Sequence, residues 1–178
     1  MKKINRSGYM IGFLATGIFL TGLCGPGQRM AEAGQSKRPM MGQDSFGLSV
    51  CTEVPKELIA RIIGKQVTDI IDFSTSKDTG CKYYTNRKNE EYILVSVVYL
   101  NAEKQKKGQM ILGRSFTTSG KIGMEHFIAL QENGMINAIY LVMAPEKYVR
   151  IDRSSKDVAT NDQLTDLAAK VADIAMYP

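Results

Sequence analysis

Residues 51–81, CTEVPKELIARIIGKQVTDIIDFSTSKDTGC, open and close on a cysteine and pass from a helical pattern to a strand-like one. Val54, Leu58, Ile59, Ile62 and Ile63 recur at the period of one helix face. Pro55 is tolerated in a first turn and Gly64 suits a C-terminal cap, so the spacing predicts a short helix with one buried stripe. Residues 67–73 (VTDIIDF) alternate imperfectly, as a strand does, and 74–80 (STSKDTG) have the composition of a loop.

The cysteines gain their meaning from what lies upstream. Lys2, Lys3 and Arg6 precede the apolar run 9–23 (YMIGFLATGIFLTGL) and the helix-breaking Gly25-Pro26-Gly27, which is the anatomy of a secretory signal peptide over residues 1–33. The run has 15 residues, short of the about 20 that a spanning helix needs. Two processing routes stay open. Ala31-Glu32-Ala33 fits cleavage after Ala33, with the mature chain starting at Gly34. Alternatively, 20–24 (LTGLC) is similar to a bacterial lipobox with Cys24 as the lipidated residue, although Leu23 stands where that motif has Gly, Ala or Ser.

Either route places the folded part outside the cytoplasm, periplasmic, surface-held or secreted, with or without a lipid anchor, where disulfides persist. Cys51 and Cys81 are then the only ordinary thiols, and two cysteines allow one intramolecular pairing. Closing the loop between them contributes about 3 to 4 kcal/mol by chain-entropy reasoning. Residues 34–47 (GQSKRPMMGQDSFG), without apolar periodicity, predict a flexible tether. A single domain at 48–178 follows.

Downstream, 81–85 (CKYYT) and 92–100 (YILVSVVYL) are rich in aromatic and β-branched residues and read as strands joined by 86–91 (NRKNEE), the second of them central and covered on both sides. Residues 101–116 leave helix or irregular structure open, because Asn101 suits an N-cap whereas Gly108 and Gly113 disfavour a helix. Apolar runs flank Asn133-Gly134, which predicts a hairpin with a two-residue type I′ turn. Its register would set Phe127 opposite Tyr140, Ala129 opposite Ala138, Ile128 opposite Ile139 and His126 opposite Leu141. Residues 147–152 (KYVRID) alternate like an outer strand. Thr160 to Gln163 fit a capping box, opening a helix whose stripe is Leu164, Leu167, Ala168, Val171, Ile174 and Ala175. The sum is an α+β domain: a mainly antiparallel sheet packed by a short N-terminal helix and a C-terminal helix, with one disulfide.

Charge and motifs narrow the function. Lys2, Lys3, Arg6 and Arg29 against Glu32 put most of the formal charge of +5 in the leader and leave residues 34–178 at +2, too little for a nucleic-acid partner. His126, the single histidine, would have to be the base of any Ser-His-acid hydrolase, but it sits among Met124, Ile128 and Leu141 and no Gly-x-Ser-x-Gly elbow is present. Asp69 with Asp72, Glu90 with Glu91, and Asp162 with Asp166 are unspecific carboxylate pairs, of which the first is the candidate for acid-base work. No cofactor or metal motif is present, and two cysteines with one histidine do not complete a structural zinc site. Lys104, Lys106 and Lys107 form a basic cluster suited to an anionic membrane surface, or simply to solvent. Tyr83, Tyr92, Tyr99 and Tyr140 fall in predicted strands and are the candidate ligand surface.

Cys51 before a helix ending at Gly64, Cys81-Lys82-Tyr83 opening a strand, Gly123 ahead of a hairpin and the terminal 167–172 (LAAKVA) resemble small exported lipoprotein domains of unknown function, common in actinobacteria. The resemblance implies a cystine tying the first helix to the sheet and a binding or accessory role, and brings no catalytic residues. The expected function is an exported, envelope-associated binding or accessory protein for a protein, lipid or small ligand, reaching the membrane through its leader or a lipid anchor. The alternative is an envelope hydrolase using His126 or the Asp69 and Asp72 pair.

Overall fold

A computed structural model describes residues 49–177. The expected signal peptide, tether and lipidation site at Cys24 lie outside the described residues. The chain runs α1 (Val50–Glu53), α2 (Lys56–Ile63), β1 (Asp69–Ser74), β2 (Asp78–Asn86), β3 (Glu91–Val98), α3 (Ala102–Ile111), β4 (Ser115–Thr117), β5 (His126–Leu130), β6 (Ile136–Ala144), β7 (Lys147–Arg153) and α4 (Asn161–Met176). One sheet holds all seven strands in the order β1-β2-β3-β7-β6-β5-β4. Every pairing is antiparallel, so the chain adopts the expected α+β fold.

Cross-strand partners point to the same side of a sheet, and successive residues alternate. The registers therefore divide the side chains into two faces. On the first, Cys81, Tyr83, Ile93, Val95, Val97, Val149, Ile151, Ile139, Leu141 and Ile128 are buried against α1, α2 and α4. The C-terminal helix brings Leu164, Leu167, Ala168, Val171 and Ala172 to this core, close to its predicted stripe, while Ile174 and Ala175 pack partly buried at its margin. Thr160 and Gln163 close the expected capping box, and the Gln163 side chain also donates to the Ile63 carbonyl at the end of α2 (2.9 Å).

Cys51 and Cys81 are bonded, with Cα atoms 5.2 Å apart. The helix expected over 54–63 is α2, beginning at Lys56, and a separate one-turn helix, α1, precedes it. Val54 is held at φ −114°, ψ 87°, outside the helical region, because the residue before a proline clashes with its ring in helical geometry. Cys51 thus lies within a short first helix, α1, and Gly64 ends α2 in the left-handed conformation foreseen for it.

Three further expectations need correction. The segment 74–80 is a loop only at its centre, since β2 already begins at Asp78. The hairpin keeps the predicted register for all four pairs, but its turn is not type I′. Gly134 N–H donates to Gln131 (2.9 Å) with only Gly134 at positive φ, a type I turn followed by a bulge that shifts the register by one at Leu130. Finally, 147–152 is no outer strand: β7 lies between β3 and β6, with Val149 and Ile151 fully buried. The doubtful segment 101–116 is helix followed by β4, with the Asn101 side chain capping Lys104 N–H at 2.8 Å.

Candidate functional site

The second sheet face differs in chemistry from the first. Register places Gly80, Ser96, Arg150, Tyr140 and Phe127 in one row across it, and Lys82, Leu94 and Asp152 in the next. Gly80 is required there, because a Cβ would meet the Ser96 Cβ at 2.6 Å and the Val95 carbonyl at 2.7 Å. Phe127 stacks on Tyr140 (4.5 Å between centroids, 12° between planes), and Tyr140 meets Tyr148 edge-on at 5.6 Å. Phe116 closes this aromatic ladder against Phe127 at 5.8 Å.

α3 crosses the ladder with a polar underside. Gln105 donates to the Tyr140 hydroxyl (3.3 Å), and the Lys106 ammonium lies over the Phe116 and Phe127 rings at 5.8 and 5.7 Å. Buried polar atoms remain here without a partner among the described residues: Gln109 Oε1, Arg114 Nε and Arg150 Nε. Arg150 forms an ion pair with Asp152, whose carboxylate is largely buried. Burial raises the Asp152 pKa and outweighs the opposing charge and hydrogen bond of Arg150. Burial also pushes the Tyr148 hydroxyl up to about 12 and raises Tyr140, against the opposing effects of Gln105, Arg150 and Arg114.

Beside the ladder a cleft of about 380 Å³ opens between the start of α3 and the β6–β7 turn. Phe127, Val142, Met143 and Pro145 supply its apolar lining, and Glu103, Lys106, Glu125 and His126 its polar groups. The cleft is held open by backbone and cap contacts: Ala102 N–H donates to the Pro145 carbonyl (3.0 Å), and the Asn101 amide donates to Glu146 (2.8 Å).

His126 lines this cleft with both ring nitrogens engaged. Nε2 accepts from the Ser119 backbone N–H (2.9 Å), so Nδ1 carries the hydrogen and donates it to the Met124 carbonyl (2.8 Å). Asp69 and Asp72, three apart on β1, point to opposite faces; Asp69 pairs with Arg87. The four candidate tyrosines do not form one surface. Tyr83 is buried on the first face and donates to the Val54 carbonyl (2.5 Å), its pKa raised far by burial. Tyr140 is buried on the second face. Tyr92 shares that face, tilted against Tyr84 at 5.5 Å and under the Lys82 ammonium at 4.7 Å. Tyr99 lies past the end of β3, 48 % exposed.

The Arg150 and Asp152 pair and the Gln105 and Gln109 underside of α3 were not singled out from sequence. The available signal was charge at positions i and i+2 of an otherwise buried strand, where alternation puts both groups on one face. Among the described residues, no cluster of three or more His, Cys, Asp or Glu is placed to hold a metal ion, and no helix is long and apolar enough to cross a membrane. No family model, curated protein or solved structure matches this chain.

Proposed function

We propose that this chain is an exported, envelope-associated binding or accessory protein that takes its ligand on the second face of the sheet, at the cleft beside α3. The observation that carries the reading is the cleft itself. Its volume of about 380 Å³, apolar lining and few polar groups are the properties of sites that hold small ligands. The cystine between Cys51 and Cys81 is compatible with an oxidising compartment and supports the exported half of the reading. The other class, an envelope hydrolase, has less support. His126 has both nitrogens committed to backbone, and Asp69 and Asp72 face apart.

Native mass spectrometry of the protein recovered from its own cells tests both halves at once. The expected mass begins at Gly34, or at a lipid-bearing Cys24, and rises by about 2 Da on reduction. It is accompanied by a non-covalent small-molecule adduct that Val142→Trp, which fills the cleft, removes. A chain that keeps its leader and free thiols overturns the exported half, and an adduct-free or Trp-insensitive spectrum overturns the binding half.

A further inference from the structure

The end of α3 presents three consecutive large apolar side chains to solvent: Met110 at 59 % exposure, Ile111 at 86 % and Leu112 at 67 %. This is not a frayed terminus. Arg114 N–H donates to the Gln109 carbonyl (3.1 Å) and Gly113 N–H to Met110 (2.9 Å), with Gly113 left-handed, which is the paired closure of a Schellman motif. Such a motif commonly tucks an apolar residue after the cap against one inside the last turn. Here those positions are Arg114 and Gln109, both polar, and the apolar residues between them point outward. The closed helix end thus holds these three apolar side chains in water.

Charge says what covers them. Lys104, Lys107 and Ile111 follow one helical stripe at spacings of three and four, and both lysines are exposed. Lys106 turns beneath the helix to the Phe116 and Phe127 rings and the Nε of Arg114 is buried, so the exposed cations on this side are Lys104 and Lys107, with Glu103 on the helix and Glu132 on the adjoining hairpin turn as the nearby acids. A convex tip of three apolar residues is too small for a stable protein interface, whose partners each bury about 800 Å². It does suit shallow insertion into a bilayer, where apolar side chains enter the acyl boundary and lysine stems reach back to anionic head groups. We infer that the exposed side of residues 104–112 forms a docking surface for an anionic lipid membrane, with Met110, Ile111 and Leu112 entering the interface and Lys104 and Lys107 meeting the head groups.

This rests on the proposed envelope location only for which membrane is met. Docking itself is read with purified protein, so the two fail separately: a chain retained in the cytoplasm that still binds vesicles defeats the location and leaves the surface standing. The test is co-sedimentation of the full chain with vesicles of phosphatidylcholine alone or mixed with phosphatidylglycerol. Ile111→Ser with Leu112→Ser, and Lys104→Gln with Lys107→Gln, are compared on the same chain so that any contribution of the leader cancels. Binding to the mixed vesicles is expected to weaken roughly tenfold or more in each double variant. The lysine variant is also expected to lose most of its salt sensitivity. All four positions are exposed, and unchanged circular dichroism checks the fold. Equal sedimentation of all three proteins, no preference for phosphatidylglycerol, or an apolar variant that loses self-association but not vesicle binding would each overturn the inference.

Discussion

The two faces of one sheet divide the labour in this protein. On the first, the strand side chains buried beneath the helices are apolar apart from tyrosine and the cystine sulfur, and three helices cover them with stripes of Val, Ile, Leu and Ala. On the second, the same strands deliver Ser96, Arg150 and Asp152 beside an aromatic ladder, and the crossing helix answers with Gln105, Lys106 and Gln109. Burial of apolar area favours folding by about 25 cal/mol per Å², whereas a polar group buried without a partner costs about 1 to 3 kcal/mol. Stability is therefore concentrated on the first face. The second tolerates unpaired donors and a cleft, and the helix tip beyond it leaves apolar groups in water.

The sharpest way to break this division is to truncate equally apolar side chains in the two regions. Leu167 on α4 is fully buried in the first core, so Leu167→Ala should cost about 2 to 5 kcal/mol. Ile111→Ala at the exposed end of α3 should fall within about 0.5 kcal/mol of wild type. Urea denaturation of the two variants reads the difference, and similar losses would mean that α3 contributes to folding as α4 does.

A second test sharpens what the cystine does for the first face. Replacing Cys51 and Cys81 together with serine should lower stability by about 2 to 4 kcal/mol, because the bond restricts a 30-residue separation in the unfolded chain. The loss should also be uneven. α1 is a single turn held by the cystine and by the Tyr83 hydroxyl, whereas the β5–β6 hairpin is knit by its own ladder. Hydrogen exchange should show α1 opening before the hairpin, and equal loss of protection in both would show the bond acting on the whole domain rather than pinning α1.

What could be read from sequence follows the same division. Features set by local chemistry and strict alternation were legible: the hairpin register around Asn133-Gly134, the Thr160 and Gln163 capping box, the Gly64 cap and the stripe of α4. Features set by a compensation between neighbours were not. The bulge at Leu130 offsets a different turn and leaves the register intact, so the pairing pattern carries no trace of the turn type. Lys147, Arg150 and Asp152 give β7 the look of an edge, yet Arg150 and Asp152 offset each other's charge on one face and let the strand lie at the centre. α3 is only weakly amphipathic, because its sheet-facing side carries Gln105, which bonds to Tyr140, and Gln109, whose Oε1 stays unpaired, while Met110, Ile111 and Leu112 face solvent. The candidate site was the least legible part, since it joins residues from β5, β6, β7 and α3 that share no local pattern.

The smallest expected effect probes the charge on the second face directly. Burial holds the Asp152 pKa above its ordinary value of 3.8, so the folded carboxyl keeps its proton more tightly than the unfolded one. The sign follows from linkage: where the folded state binds more protons than the unfolded, stability falls as pH rises. The contribution of Asp152 is thus fully present below 3.8 and is lost as pH rises through the higher folded value. Asp152→Asn removes the titration while keeping the shape, though it also leaves Arg150 without its anionic partner at every pH. Wild type should therefore gain stability relative to Asp152→Asn as pH falls from neutral toward about 4, by less than either substitution on the first face changes it. Urea midpoints of both proteins across that range give the slope. A constant gap would mean that Asp152 is as well solvated folded as unfolded, which would make the second face an ordinary wet surface and remove the contrast with the first.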